Sequence, residues 1–193
     1  MKNVSEILVN RILEKLIEND SIDVEDVEVY KFGVETTLLK ALHYTSYLVI
    51  ALCTNKFFEF AIIFAVFYIF RRNTGGFHAK TRIGCYLFSC AVIFLSLFAT
   101  EINFSWQGAA VISILDIIIL LILSPVKNSN RNLDAEEIEY FRHRLRLWSV
   151  FFSMIYIATL GLRAGYLITL YTIGLTMDTL LTILGKLQSI KQS

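Results

Sequence analysis

The sequence predicts an all-α integral membrane protein, with six transmembrane helices preceded by an N-terminal amphipathic helix and both termini cytoplasmic. Three observations predict it. The 193 residues are 55% hydrophobic and only 18% charged, with mean hydropathy +0.58, which leaves more apolar surface than a soluble domain of this size buries. From residue 38 onward the chain is a run of six apolar blocks, 38–53, 57–70, 83–99, 108–123, 147–162 and 165–184. The cations between those blocks alternate in density: Lys2, Arg11, Lys15 and Lys31, then Lys56 alone, then Arg71, Arg72, Lys80 and Arg82, then none, then Lys127, Arg131, Arg142, Arg144 and Arg146, then Arg163 alone, and finally Lys186 and Lys191.

Residues 1–37 form a cytoplasmic amphipathic segment. Val4, Ile7, Leu8, Ile12, Leu16 and Ile17 fall near helical spacing with charges between them, which predicts a helix lying on the inner membrane surface or packing on the bundle. The same charges interrupt any signal-peptide core. Residues 24–39 alternate acids with Val and aromatic side chains and read as a helix leading into the first span. Residues 38–186 form the six-helix transmembrane domain. Several blocks are shorter than the roughly 20 residues that cross a bilayer, but six in succession leave no polar elements to cover them. Only Thr54, Asn55 and Lys56 separate the first two blocks, and only Arg163 and Ala164 the last two, so both pairs are tight helical hairpins. By the positive-inside rule the loops 71–82 and 124–146, both termini and the tail 187–193 are cytoplasmic; Lys31, Arg82 and Arg142 then share one side, and Lys56, Trp106 and Arg163 the other.

Lys+Arg 18 against Asp+Glu 17 gives a net charge of +1, too balanced to indicate a nucleic-acid partner. Three Cys, an odd number, make no disulfide framework, so reduced thiols are expected.

Chemistry concentrates in residues 71–90, where a nucleophile, a base, cations and glycines converge. Cys85 can attack a carbonyl as thiolate, His78 can take and return the proton, and nearby Arg side chains favour the anion. On a continuous helix the two would lie about 10.5 Å apart along the axis, whereas a working pair needs about 3.2 Å. The chain must bend between them, and Gly75, Gly76 and Gly84 supply the places. Spacing alone leaves open that His78 is an interfacial residue and Cys85 a small hydrophobe at a span entrance.

The run Arg71, Arg72, Gly75, Gly76, Phe77, His78, Ala79 and Cys85 resembles the central motif of the AgrB family (accessory gene regulator B), membrane cysteine peptidases that process quorum-sensing peptide precursors in Gram-positive bacteria. Ser124, Pro125 and Val126, followed by Asn130, Arg131 and Leu133, are similar to that family's second cytoplasmic loop; Asn132 stands where the family often has a second Pro. The resemblance implies an endopeptidase at the cytoplasmic face of the bacterial cell membrane, with Cys85 as nucleophile and His78 as general acid/base. It implies that Arg71 is an essential support and Gly76 is needed for backbone shape, and that a Cys or Ser of the precursor closes a thiolactone or lactone ring on the acyl-enzyme. The implied partners are a small amphipathic precursor peptide with an acidic tail, membrane lipid and a second copy of the chain. Arg71 and Arg72, beside the glycine turn, are expected to hold that tail or the developing oxyanion.

Asp116 and Asp178 lie inside apolar blocks, where ionisable groups are functional candidates; either could orient His78 as a third group, and neither has the sequence context of an aspartyl intramembrane protease. No His-Glu-x-x-His occurs, so a zinc protease lacks its ligand signature, and neither metal nor cofactor is expected. His43, Cys53 and Cys90 read as packing residues, and 136–146 as a solvated helix face. The alternative from another class is a non-enzymatic membrane transporter or peptide-binding protein in which the arginines only anchor the bilayer; such a transporter should show repeats and paired helix breaks, which are not evident.

Overall fold

The computed structural model describes the chain apart from residues 1–3, 20, 78, 80, 103–104, 128–132, 163 and 193. Among the described residues its regular structure is seven α-helices with one short 3-10 turn, and the β pairing is confined to an isolated bridge between Gly75 and Val126, where the chain runs as an extended strand segment. The helices are α1 Val4–Glu18, α2 Val27–Cys53, α3 Phe57–Thr74, α4 Arg82–Ala99, α5 Trp106–Leu123, α6 Ala135–Gly161 and α7 Gly165–Gln192. Each of the six apolar blocks falls within one of α2 to α7, the fifth overrunning α6 by Leu162.

The chain divides into two compact units, residues 1–49 and 50–193. In the first, the apolar stripe of α1 is covered: Val9, Leu13 and Ile22 are buried together, with Leu16, Ile17, Val27, Val34 and Leu38 packed against them. The amphipathic helix therefore folds onto the start of α2. The stretch 24–39 is a 3-10 turn, Val24–Asp26, running into α2, which continues unbroken into the first apolar block.

In the second unit α7 is central, packing against α3, α4, α5 and α6. Of its apolar stretch 67% is buried, against 17% in α4 and 22% in α5. Its buried surface carries a polar set, Thr169, Thr172, Asp178, Thr179 and Thr182, beside buried apolar residues such as Ile168, Leu170 and Leu175, while α4, α5 and α6 turn Leu95, Phe98, Ile114, Ile122, Val150 and Ile157 outward. This inside-out distribution suits hydrocarbon surroundings, where backbone and side-chain polar groups must be satisfied internally. Hydroxyls on α7 do so: Ser113 and Thr172 share a hydrogen bond of 2.8 Å, and Thr172 also reaches its own helix's Ile168 carbonyl at 2.9 Å. The α3/α7 crossing is close because Gly174 has no side chain; a Cβ there would lie 2.9 Å from the Ile63 carbonyl oxygen. Beside it Val66, Phe70, Leu120, Leu145, Phe152 and Leu175 form the apolar core.

Among the described residues three helices, α4, α5 and α7, are long and apolar enough to cross a membrane by length and composition. The others carry charge in their length: α3 includes Glu59, Arg71 and Arg72, and α6 begins with the charged run 136–146. Helix bounds also differ from the apolar blocks at their polar ends. Helix α3 continues through Arg71 and Arg72 to Thr74, since cations in a last turn favour the helix dipole, and α7 continues to Gln192 through the expected tail. Helix α6 starts at Ala135, where Asp134 and Glu137 form a capping box. Contacts between connections segregate by end. Lys56 pairs with Glu101 at 3.0 Å and Tyr166 donates to Glu59 at 2.6 Å, whereas Gly75 bridges to Val126 at the other.

Candidate active site

The site is built where α3 stops. Gly75 (φ 74°) and Gly76 (φ 127°) both adopt the left-handed region, which costs glycine little and other residues much. The released strand is held from two sides. The Val126 N–H donates to the Thr74 carbonyl at 2.8 Å, joining the glycine turn to the Ser124-Pro125-Val126 connection. The Phe77 N–H donates to the Leu181 carbonyl of α7 at 2.9 Å. That approach depends on Gly185, one turn further along α7, where a Cβ would fall 2.3 Å from the Gly76 carbonyl carbon and 2.5 Å from the Phe77 nitrogen.

Arg71 grips the same strand. Its Nη1 donates to the Gly75 carbonyl and its Nη2 to the Phe77 carbonyl at 2.9 Å. Behind it stands Asp178 of α7, fully enclosed, with Oδ1 3.9 Å from Nη1. The Thr74 hydroxyl lies 3.1 and 2.9 Å from the two Asp178 oxygens. The guanidinium thus faces backbone carbonyls and a carboxylate, while Arg72, one position on, is exposed.

Cys85 is the fourth residue of α4 and half-buried. Thr81 starts the helix, its hydroxyl accepting from the Gly84 N–H at 3.0 Å and its carbonyl from the Cys85 N–H at 2.9 Å. A first-turn position places a side chain at the positive end of the helix dipole, where negative charge is favoured. The described residues between Gly75 and Thr81 are not helical, so the bend that the seven-residue spacing requires is present. The Phe77 ring meets Phe88 of α4, centroids 5.0 Å apart, tying the strand to the helix one turn beyond Cys85. His78 itself lies outside the described residues, as do Lys80, Asn130, Arg131, Asn132 and Arg163; its neighbours Phe77 and Ala79 are placed. Along α4, Cys85 shares its face with Phe88, Val92 and Ser96, which line a cavity of about 360 Å³ with Ala109, Leu181 and Leu184.

The two aspartates within apolar helices separate. Asp178 joins Thr74 and Arg71, whereas Asp116 accepts from Thr176 at 2.6 Å. His43 Nδ1 is 3.0 Å from the Tyr47 hydroxyl, a packing arrangement. All three cysteines are free thiols. Thr74, Leu181 and Gly185 were not legible as site residues, because their role is contact across helices far apart in sequence.

A family model, accessory gene regulator B, matches residues 9–188. The chain belongs to the accessory gene regulator B family. The match takes in all of α2 to α6, the glycine turn, Cys85 and Asp178. Membership and the apolar helices make this accessory gene regulator B protein a membrane protein of quorum-sensing peptide processing. Comparison with curated proteins and with solved structures finds no match.

Proposed function

We propose that the chain is a membrane-embedded cysteine endopeptidase that cuts the acidic tail from a small autoinducing-peptide precursor and leaves the remainder cyclised. In this reading α2 to α7 are six spans, with the termini, the glycine turn and the start of α6 in the cytoplasm. The grouping of inter-helix contacts by end and the alternation of cations support that arrangement. The observation that carries the catalytic reading is Cys85 in the first turn of α4, joined through Phe88 and Phe77 to a strand fixed immediately before His78.

The Cys85 sulfur attacks the scissile carbonyl while His78 accepts its proton and passes it to the departing amine, so the peptide C–N bond breaks as a thioester forms. The positive end of the α4 dipole, in whose first turn Cys85 sits, favours the developing oxyanion. A Cys or Ser of the retained peptide then attacks the thioester, releasing the Cys85 thiol and closing a thiolactone or lactone. Intramolecular attack carries an effective molarity of about 10⁵ M or more, which lets cyclisation outrun hydrolysis where bulk water is scarce.

The test is precursor cleavage by the full chain in lipid nanodiscs. Cys85→Ala and Cys85→Ser should abolish cleavage with insertion intact, while Cys53→Ala and Cys90→Ala retain it. Equal loss in all three positions would indicate folding damage, cleavage by Cys85→Ala would refute Cys85 as the nucleophile, and no cleavage by the wild-type chain would favour the non-enzymatic reading.

A further inference from the structure

We infer that Asp178 is a positioning residue for this reaction, a buried carboxylate that sets the backbone from Gly75 to Phe77, which leads into His78, through Arg71 and Thr74. The inference rests on the peptidase reading above. Asp178 has no exposed side-chain surface, and a charge enclosed in this way persists only when paired and hydrogen-bonded. Its partners are the Arg71 guanidinium at 3.9 Å and the Thr74 hydroxyl at 2.9 and 3.1 Å. Both partners lie in the last turn of α3, yet Asp178 is 104 residues from Thr74 on the helix that also supplies the Leu181 carbonyl. The carboxylate therefore locks the end of α3 to α7 in one orientation.

The consequence passes along the arginine. A guanidinium is a rigid planar fork, so a carboxylate held beside one of its nitrogens orients the whole group. Here Nη1, the nitrogen nearest Asp178, holds the Gly75 carbonyl and Nη2 holds the Phe77 carbonyl, bracketing Gly76 and ending at the residue before His78. Two glycines in the left-handed region have ample freedom to leave that conformation once the fork is released. Arg71 retains 20% side-chain exposure, so without the carboxylate it has solvent to turn toward. A displacement of about 1 Å in a catalytic group can lower turnover by about 10²-fold.

The experiment measures kcat and KM for precursor cleavage by the full chain in nanodiscs, on inserted and monodisperse protein. Asp178→Asn keeps the shape and removes the charge; kcat should fall about 10²-fold with KM changed less than about threefold, and Asp178→Glu should recover at least tenfold of the loss. Thr74→Val, which preserves bulk, should lower kcat about tenfold. Because Asp178 acts through Arg71, the double variant Asp178→Asn with Arg71→Lys should be no slower than the slower single variant, whereas independent structural roles would multiply. Wild-type kcat in Asp178→Asn or Thr74→Val, or multiplicative losses, overturns the inference. If Cys85→Ala still cleaves, or the wild-type chain does not, the peptidase reading on Cys85 has itself failed, which the same series reveals separately.

Discussion

Gly185→Ala isolates the geometry of the site from its chemistry, because Gly185 is remote in sequence from every reacting group and adding one methyl leaves charge and polarity unchanged. Within the interior of α7, Ala is intrinsically better than Gly by about 1 kcal/mol, so the helix itself is not weakened. The new methyl would stand 2.3 Å from the Gly76 carbonyl carbon and 2.5 Å from its Cα. These are backbone atoms that no rotamer change can clear. Carbon–carbon contact is comfortable near 3.5 Å, so strand and helix must part by about 1.2 Å. The Phe77 to Leu181 hydrogen bond, 2.9 Å at rest, cannot survive that opening. A shift of this size at the residue before His78 predicts a kcat loss of about 10²-fold, equivalent to about 2.7 kcal/mol of transition-state stabilisation. The assay is single-turnover cleavage of a labelled precursor in nanodiscs, with thermal unfolding of the same samples. Gly161→Ala is the control, since nothing lies within 4 Å of a Cβ there, and it should retain wild-type kcat. Wild-type turnover in Gly185→Ala would show that the glycine turn does not rest on α7, and the positioning argument would fall with it.

Two further outcomes follow from the same geometry. Arg71→Lys keeps the charge but loses the fork that spans the Gly75 and Phe77 carbonyls, so kcat should drop with KM nearly unchanged; a raised KM with intact kcat would instead assign Arg71 to binding the acidic tail. Single cysteines introduced at Lys56 and Trp106, in a chain with Cys53, Cys85 and Cys90 replaced by Ala, should react with an impermeant thiol reagent from outside intact cells. Those at Arg82 and Arg142 should react only after permeabilisation, and finding Arg82 and Arg142 on opposite faces would refute the six-span topology.

What was legible in the sequence follows from which forces act locally. Hydropathy is a property of contiguous residues, so every apolar block marked a helix, and the need for a bend between His78 and Cys85 followed from helical rise alone. Helix ends were less legible because polar residues continue a helix beyond the apolar stretch until something stops it. Gly75 stops α3 three residues after Arg72, and the Asp134 capping box begins α6 well before its apolar part. Asp116 and Asp178 were indistinguishable in sequence, each a lone acid among apolar residues. They diverge because one faces Thr176 and the other faces the end of α3, a difference set by helix packing. Gly185 was hidden for the same reason: of nine glycines, it is the one whose missing side chain admits Gly76 and Phe77.

The division of labour between α7 and α4 gives this arrangement its logic. A reactive constellation needs a rigid support, yet a glycine turn is among the least rigid elements a chain can form. Here the turn is fastened to the most enclosed helix by a backbone hydrogen bond from Phe77, a glycine contact at Gly185 and the Asp178 pair with Arg71. A polar stripe that would be costly facing lipid is buried on α7, and its Asp178 end meets α3 and organises the strand before His78. Cys85 is carried instead on α4, whose apolar stretch is only 17% buried and whose aromatic tie to the turn is Phe88 against Phe77. One wall of the site is therefore fixed by charge and hydrogen bonds, and the other is positioned by apolar contact. On the proposed peptidase reading, substitutions on α7 should accordingly act on turnover through His78, while those along the Phe88, Val92 and Ser96 face of α4 should act on how Cys85 meets the precursor.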